Sequence, residues 1–135
     1  MNLINVFNYV TEKDEKGNYI HGGATYNINT HEFNPTSGYI VALIGHEKIV
    51  DVPTTLNEWQ DIMTDYLTAS VWDCIAEQHN VYLGFWIEEG KLYIDLSERY
   101  EDFETAFKVG FERGQKAIWD SANSVSIYLV SSIAI

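Results

Sequence analysis

The sequence predicts one α+β domain whose core runs strand, helix, strand, strand, helix, strand, and three segments carry that expectation. The first is VYLGFWIEEGKLYIDLS, from Val81 to Ser97. With Glu89-Gly90 as a two-residue turn, Ile87 faces Leu92, Phe85 faces Ile94 and Leu83 faces Leu96. On the opposite side Trp86 meets Tyr93 and Glu88 meets Lys91. One register satisfies both faces, which specifies a hairpin. The second segment begins at Thr55-Leu56-Asn57-Glu58, the S/T-x-x-E spacing that satisfies free amides at a helix start. Leu56, Trp59, Met63, Tyr66, Leu67, Val71 and Cys74 then recur on one helical face, so the spacing predicts one helix from Thr55 to about His79-Asn80. The third is SGYIVALIG, an apolar run of strand length suited to the centre of a sheet.

The remaining elements follow in order. Residues 1–23 end in polar, Gly-rich sequence and predict a loose arm or an early hairpin turning near Lys16-Gly17-Asn18. ATYNINT alternates like a strand, and HEFNPTSG carries turn residues. Phe103, Ala106, Phe107 and Gly110 mark a second helix ending near Gly114. A short strand starts at Lys116, and SVSIYLV alternates as the last strand. The tail SSIAI either extends that strand or is disordered.

From Gly38 onward this order is the ferredoxin-like arrangement, with both helices on one face of a four-stranded antiparallel sheet. The expected division is a single domain over 1–135, with 38–130 as its core. The face away from the helices would present Tyr82, Trp86, Tyr93, Trp119 and Tyr128.

Charge narrows the function. The net charge is −12. Asp51 to Glu104 holds thirteen acids against Lys91 and Arg99, a net of −11, so the rest of the chain is nearly neutral. Phosphate contacts want Lys and Arg, so direct binding of nucleic acid or of an anionic membrane surface is disfavoured. A basic protein, or a groove that normally holds nucleic acid, would be attracted. A lone cysteine, no secretory-type start and no bilayer-length apolar run predict a cytosolic protein.

Two surfaces are candidate sites. On 100° helical steps Glu58, Asp61, Asp65 and Trp72 share one outward face, with Ile62 beside them. That face is either plainly solvated or a protein-binding surface with Trp72 as anchor. Glu98, Glu101, Asp102 and Glu104 form a second acidic cluster. The other candidate is the aromatic sheet face of Tyr82, Trp86, Tyr93 and Trp119. It is covered by residues 1–35, buried in a homodimer, or a platform for a small ligand or peptide; nearby acids argue against RNA. His21, His31, His46 and His79 lack zinc-type spacing and no cofactor motif is present, so neither metal nor cofactor is expected. Cys74 sits on the core face of its helix and reads as an inert thiol rather than a nucleophile. No Ser-His-Asp constellation stands out, and the chain reads as non-enzymatic.

Residues 82–120, with YLGFWIEEGKLYIDLS followed by GQKAIWD, resemble a family of small proteins from bacteriophages and other mobile elements. TSGYIVALIG is similar to that family's second recurring stretch, and the resemblance covers roughly residues 24–128. It implies a setting, the cytoplasm of a bacterial host, and carries over no site residue. Small acidic proteins in that setting resemble anti-CRISPR and anti-restriction inhibitors that imitate DNA charge. The resulting expectation is an inhibitor that occupies the basic groove of a nucleic-acid-binding defence effector.

Overall fold

In a computed structural model of the chain, residues 2–77 and 80–129 are described, apart from the side chain of residue 77. Among them the protein is α+β, with four helices and an open antiparallel sheet of seven strands. Helix α1 is Leu3–Thr11, followed by β1 Gly23–Tyr26, β2 Tyr39–Ala42 and β3 Lys48–Asp51. Helices α2 (Leu56–Tyr66) and α3 (Ala69–Glu77) precede β4 Val81–Glu88 and β5 Lys91–Tyr100. Helix α4 (Phe103–Glu112), β6 Ala117–Asp120 and β7 Val125–Tyr128 complete the order. The sheet runs β1-β4-β5-β2-β6-β7, and β3 pairs with β5 beyond the end of β2.

The β4–β5 hairpin has the register read from the sequence, from Leu83 opposite Leu96 to Glu88 opposite Lys91. Its turn places Glu89 at φ 51° and Gly90 at φ 76°, the left-handed pair that matches the twist of a two-residue hairpin. Leu83, Phe85, Leu92, Ile94 and Leu96 are almost completely buried under the helices.

The expected arm is replaced by structure. Asn2 caps α1, its side chain accepting from Asn5 N at 3.0 Å while Asn5 Oδ1 accepts from Asn2 N at 3.1 Å. Val6, Phe7 and Val10 then enter the main core beside Trp59 and Phe85. An isolated nine-residue helix is marginal in water. Burying such side chains, at roughly 1.5–3 kcal/mol each, supplies what propensity does not. The turn near Lys16-Gly17-Asn18 does form: Lys13 bridges Tyr19, Gly17 takes φ 83°, and Asp14 Oδ1 accepts from the Lys16 and Asn18 amides.

The strand expected from SGYIVALIG stops at Ala42. Leu43 N still donates to Leu96 O at 2.8 Å, after which the chain leaves the ladder through Gly45, at φ 84°, and returns as β3. The long helix is also divided. Leu67 takes ψ 59°, its amide closing α2 on Met63 O, and Trp72 N starts the next turn on Thr68 O. The expected end of that helix at His79 and the tail from Ser131 lie outside the described residues. Around α4, Val41, Ala106, Ile118 and Leu129 form a second, smaller apolar cluster.

Candidate functional site

The acids of α2 share a side of the helix, and two of the three have structural partners. Thr55 Oγ1 accepts from Glu58 N at 3.2 Å, as the capping spacing requires. The Glu58 carboxylate turns back one residue further than expected, accepting from Thr54 N at 3.3 Å and Thr54 Oγ1 at 3.2 Å. Asp65 forms an ion pair with Lys48 of β3. Asp61 is exposed, as is Asp73 on α3. Trp72 does not extend this acidic face. The break at Leu67-Thr68 reorients α3, and Trp72 instead lines a groove with Leu3, Ile4, Trp59, Met63 and Leu67. Asp65 borders a separate concavity, with His46, Lys48 and Tyr66.

The second acidic cluster is not one surface. Glu98 is only 7% exposed and lies on the helix side of β5. It accepts from the Arg113 guanidinium and from Tyr100 Oη at 3.2 Å. A buried carboxylate needs such partners, so Glu98 is a strut between sheet and α4, not part of a free acidic surface. Asp102 is the N-cap of α4, accepting from Thr105 N at 2.9 Å and Thr105 Oγ1 at 2.7 Å. These hydrogen bonds, the hydroxyl's first, hold its carboxyl below the ordinary range. Glu101 is exposed and reaches Arg99 at 3.5 Å. Glu104 is exposed in the first turn of α4, where the helix dipole favours it.

The aromatic sheet face is real and graded in exposure. Tyr82 is buried at one end, its hydroxyl donating to Glu32, and burial followed by that carboxylate pushes its pKa up to about 12. Trp86 and Tyr93 stack with centroids 5.0 Å apart and planes 6° from parallel. On β6 and β7, Trp119 and Tyr128 are exposed. Among the described residues of this segment, Glu32 reaches the face at Tyr82, and α1 packs into the core on the helix side. Between these groups Asp95 faces Gly84 across the β4–β5 ladder. Burial, and then the Glu47 charge, raise its pKa to about 7.

Two features carry no strong sequence signal. Cys74 Sγ lies 3.9 Å from His46 Nε2, a pairing across twenty-eight residues. The loop holding His46 is fixed by Tyr66 Oη, which donates to His46 O at 2.6 Å. The other is the groove between α1, α2 and α3, about 410 Å³ in volume. Its one sequence clue is the helical spacing of Leu3, Val6, Phe7 and Val10 after a capping Asn2. At its base Trp59 packs between Phe7 and Phe85, with centroids at 5.4 and 5.3 Å, and its indole N–H is buried with no acceptor.

Among the described residues no three His, Cys, Asp or Glu side chains are placed to hold a metal ion, and no helix is long and apolar enough to cross a membrane. Comparison of the chain with known protein families, with curated proteins and with solved structures gives no match.

Proposed function

We propose that this protein is a non-catalytic acidic binding protein whose partner is a basic, nucleic-acid-handling protein. The observation that carries the reading is the charge of the helical flank. Helices α2 and α3 present Glu58, Asp61 and Asp73 to solvent and contain no lysine, arginine or histidine, while the charge of Asp65 is matched by Lys48 of β3. Such a flank attracts a basic surface over several ångströms and speeds encounter with it. The resemblance to phage and mobile-element proteins supports setting this activity against a host defence effector, whose nucleic-acid groove the protein would occupy. The order β4-β5-β2-β6, with α2 and α3 before β4 and α4 before β6, supports reading the core as ferredoxin-like, with α1, β1, β3 and β7 as additions.

The test is capture from bacterial lysate at low and high salt, with an Asp61→Asn, Asp73→Asn variant beside the wild type. These two acids have no capping role. The expected result is a nucleic-acid-binding protein that the wild type retains at low salt, releases at high salt, and that the variant captures weakly. Capture by wild type and variant alike, unaffected by salt, would overturn the reading.

A second reading rests on the Trp86–Tyr93 stack, beside which Ile49 of β3 is exposed across from Tyr93. This face suits a small ligand, a peptide or a second copy. It predicts that Trp86→Ala abolishes binding or dimerisation while neutralising helix acids does little. Light scattering and ligand titration on that variant decide it.

A further inference from the structure

We infer that two copies of this chain associate through the outer edge of β7 and the phenylalanine row of α4. The inference does not depend on a basic partner, because it leaves the acidic flank of α2 and α3 free.

Among the described residues three strands lie at sheet edges, β1, β3 and β7. The chain covers β1 itself: Asn34 N donates to Thr25 O at 2.8 Å, Thr25 N donates to Asn34 Oδ1 at 2.9 Å, and Tyr26 bridges Phe33. Strand β3 is bounded by Lys48 and Asp51, and charges of this kind blunt an edge. Strand β7 has neither protection. Among the described residues it pairs with β6 alone, and it contains no charge and no proline. Leu129 N donates to Lys116 O, so by the alternation of an antiparallel ladder Ile127 and Val125 also bond inward to β6. The N–H and C=O groups of Ser126 and Tyr128 therefore point outward from the sheet.

Beside this edge α4 carries Phe103, Phe107 and Phe111 at four-residue spacing, all of them exposed. Arg113 leaves the other flank of the helix toward Glu98 on β5, and Gly110 rests on Ile118 and Leu129, so the row looks toward β7. Val125 is 48% and Tyr128 70% exposed, on opposite faces of the strand. Six of the twelve large apolar side chains exposed among the described residues fall within residues 103–129, which concentrates the patch at this end. At the size of aromatic side chains they leave roughly 500 Å² of apolar surface in water, more than half of the ~800 Å² that each partner gives a standard interface.

Charge selects a second copy as the occupant. Residues 103–129 hold three acids and three bases, so the whole net charge of −12 lies elsewhere in the chain. Two copies repel each other through their acidic middle, and this neutral end is where they can meet. A basic partner gains no attraction here, whereas the acidic flank offers it. An antiparallel strand pair is also its own complement. A two-fold axis beside β7 pairs Val125–Tyr128 with itself and sets both phenylalanine rows on the same side of the joined sheet.

The test is analytical ultracentrifugation of the full chain across concentration, at low and high salt, with amide hydrogen exchange read at Ser126 and Tyr128. The expected mass rises with concentration from 15.5 kDa to twice that value. Added salt tightens the dimer by screening repulsion between two acidic chains, whereas it weakens capture of a basic partner. The two outward amides become protected only as the dimer forms. Ser126→Pro removes one outward N–H and no bond to β6, a placement that edge strands tolerate. Phe107→Gln removes the middle of the phenylalanine row. Each is expected to raise the dimer Kd at least tenfold with an unchanged circular dichroism spectrum. Trp86→Ala, and Asp61→Asn with Asp73→Asn, lie away from this edge and leave the Kd as it is.

A wild type that stays monomeric at millimolar concentration overturns the inference. So does protection of the two amides at every concentration, because the chain then covers its own edge. Dimerisation undiminished in both Ser126→Pro and Phe107→Gln overturns it as well, and loss of the dimer in Trp86→Ala instead moves the contact to the Trp86–Tyr93 face. None of these outcomes touches the basic-partner reading, which stands or falls on its capture experiment.

Discussion

The Asp95 carboxylate lies over Gly84 of the neighbouring strand, in the space that a side chain at residue 84 would fill. The glycine is there because the acid is, and the acid is sheltered because the glycine leaves room. A side chain added at Gly84 must displace the carboxylate. Gly84→Ala is therefore expected to destabilise the protein by about 1–3 kcal/mol. The same substitution in an Asp95→Ala background is expected to cost far less. Urea unfolding of the four proteins in the cycle checks this, and additive costs would show that the two residues do not share the space.

Asp95 also makes stability depend on pH. Its folded pKa of about 7 lies above the ordinary 3.8, so the folded state holds a proton that the unfolded chain releases. Stability contributed by that proton is full below about pH 4 and is lost as pH rises to about 7, by up to about 1.4 kcal/mol per pH unit. Asp95→Asn cannot ionise and is expected to flatten this part of the profile, with its largest advantage above pH 7. Denaturation midpoints of both proteins across this range test it.

Glu98 and Arg113 tie β5 to the end of α4. Arg113→Met leaves the Glu98 carboxylate buried with only the Tyr100 hydroxyl, and is expected to cost about 3–5 kcal/mol. Replacing both residues, with Glu98→Met added, removes the stranded charge and is expected to recover much of the loss. Thermal melts of the single and double variants measure the difference.

The hairpin turn places a glutamate in a left-handed conformation that asparagine adopts more readily. Glu89→Asn is expected to raise stability by about 0.5 kcal/mol, and Gly90→Ala to lower it by about 1 kcal/mol. Neither touches the core, so both effects read out directly in the unfolding midpoint.

What the amino-acid sequence determined by itself was local. The β4–β5 register followed from period-two alternation across a two-residue turn, where pairing partners lie within seventeen residues of each other. The start of α2 followed from the three-residue spacing of Thr55 and Glu58. The concentration of acids in the middle of the chain is composition alone. Tertiary structure decided what each acid does. Asp65 meets a lysine from β3, and Glu98 an arginine beyond the next helix, so neither belongs to a free acidic surface. It also decided that Leu3–Thr11 is a core helix, because a short helix with little intrinsic stability forms when Trp59 and Phe85 bury its apolar side. The groove and the break between α2 and α3 belong to the same class. They arise where three helices meet over a sheet, and long-range packing of that kind leaves no fixed spacing along the chain.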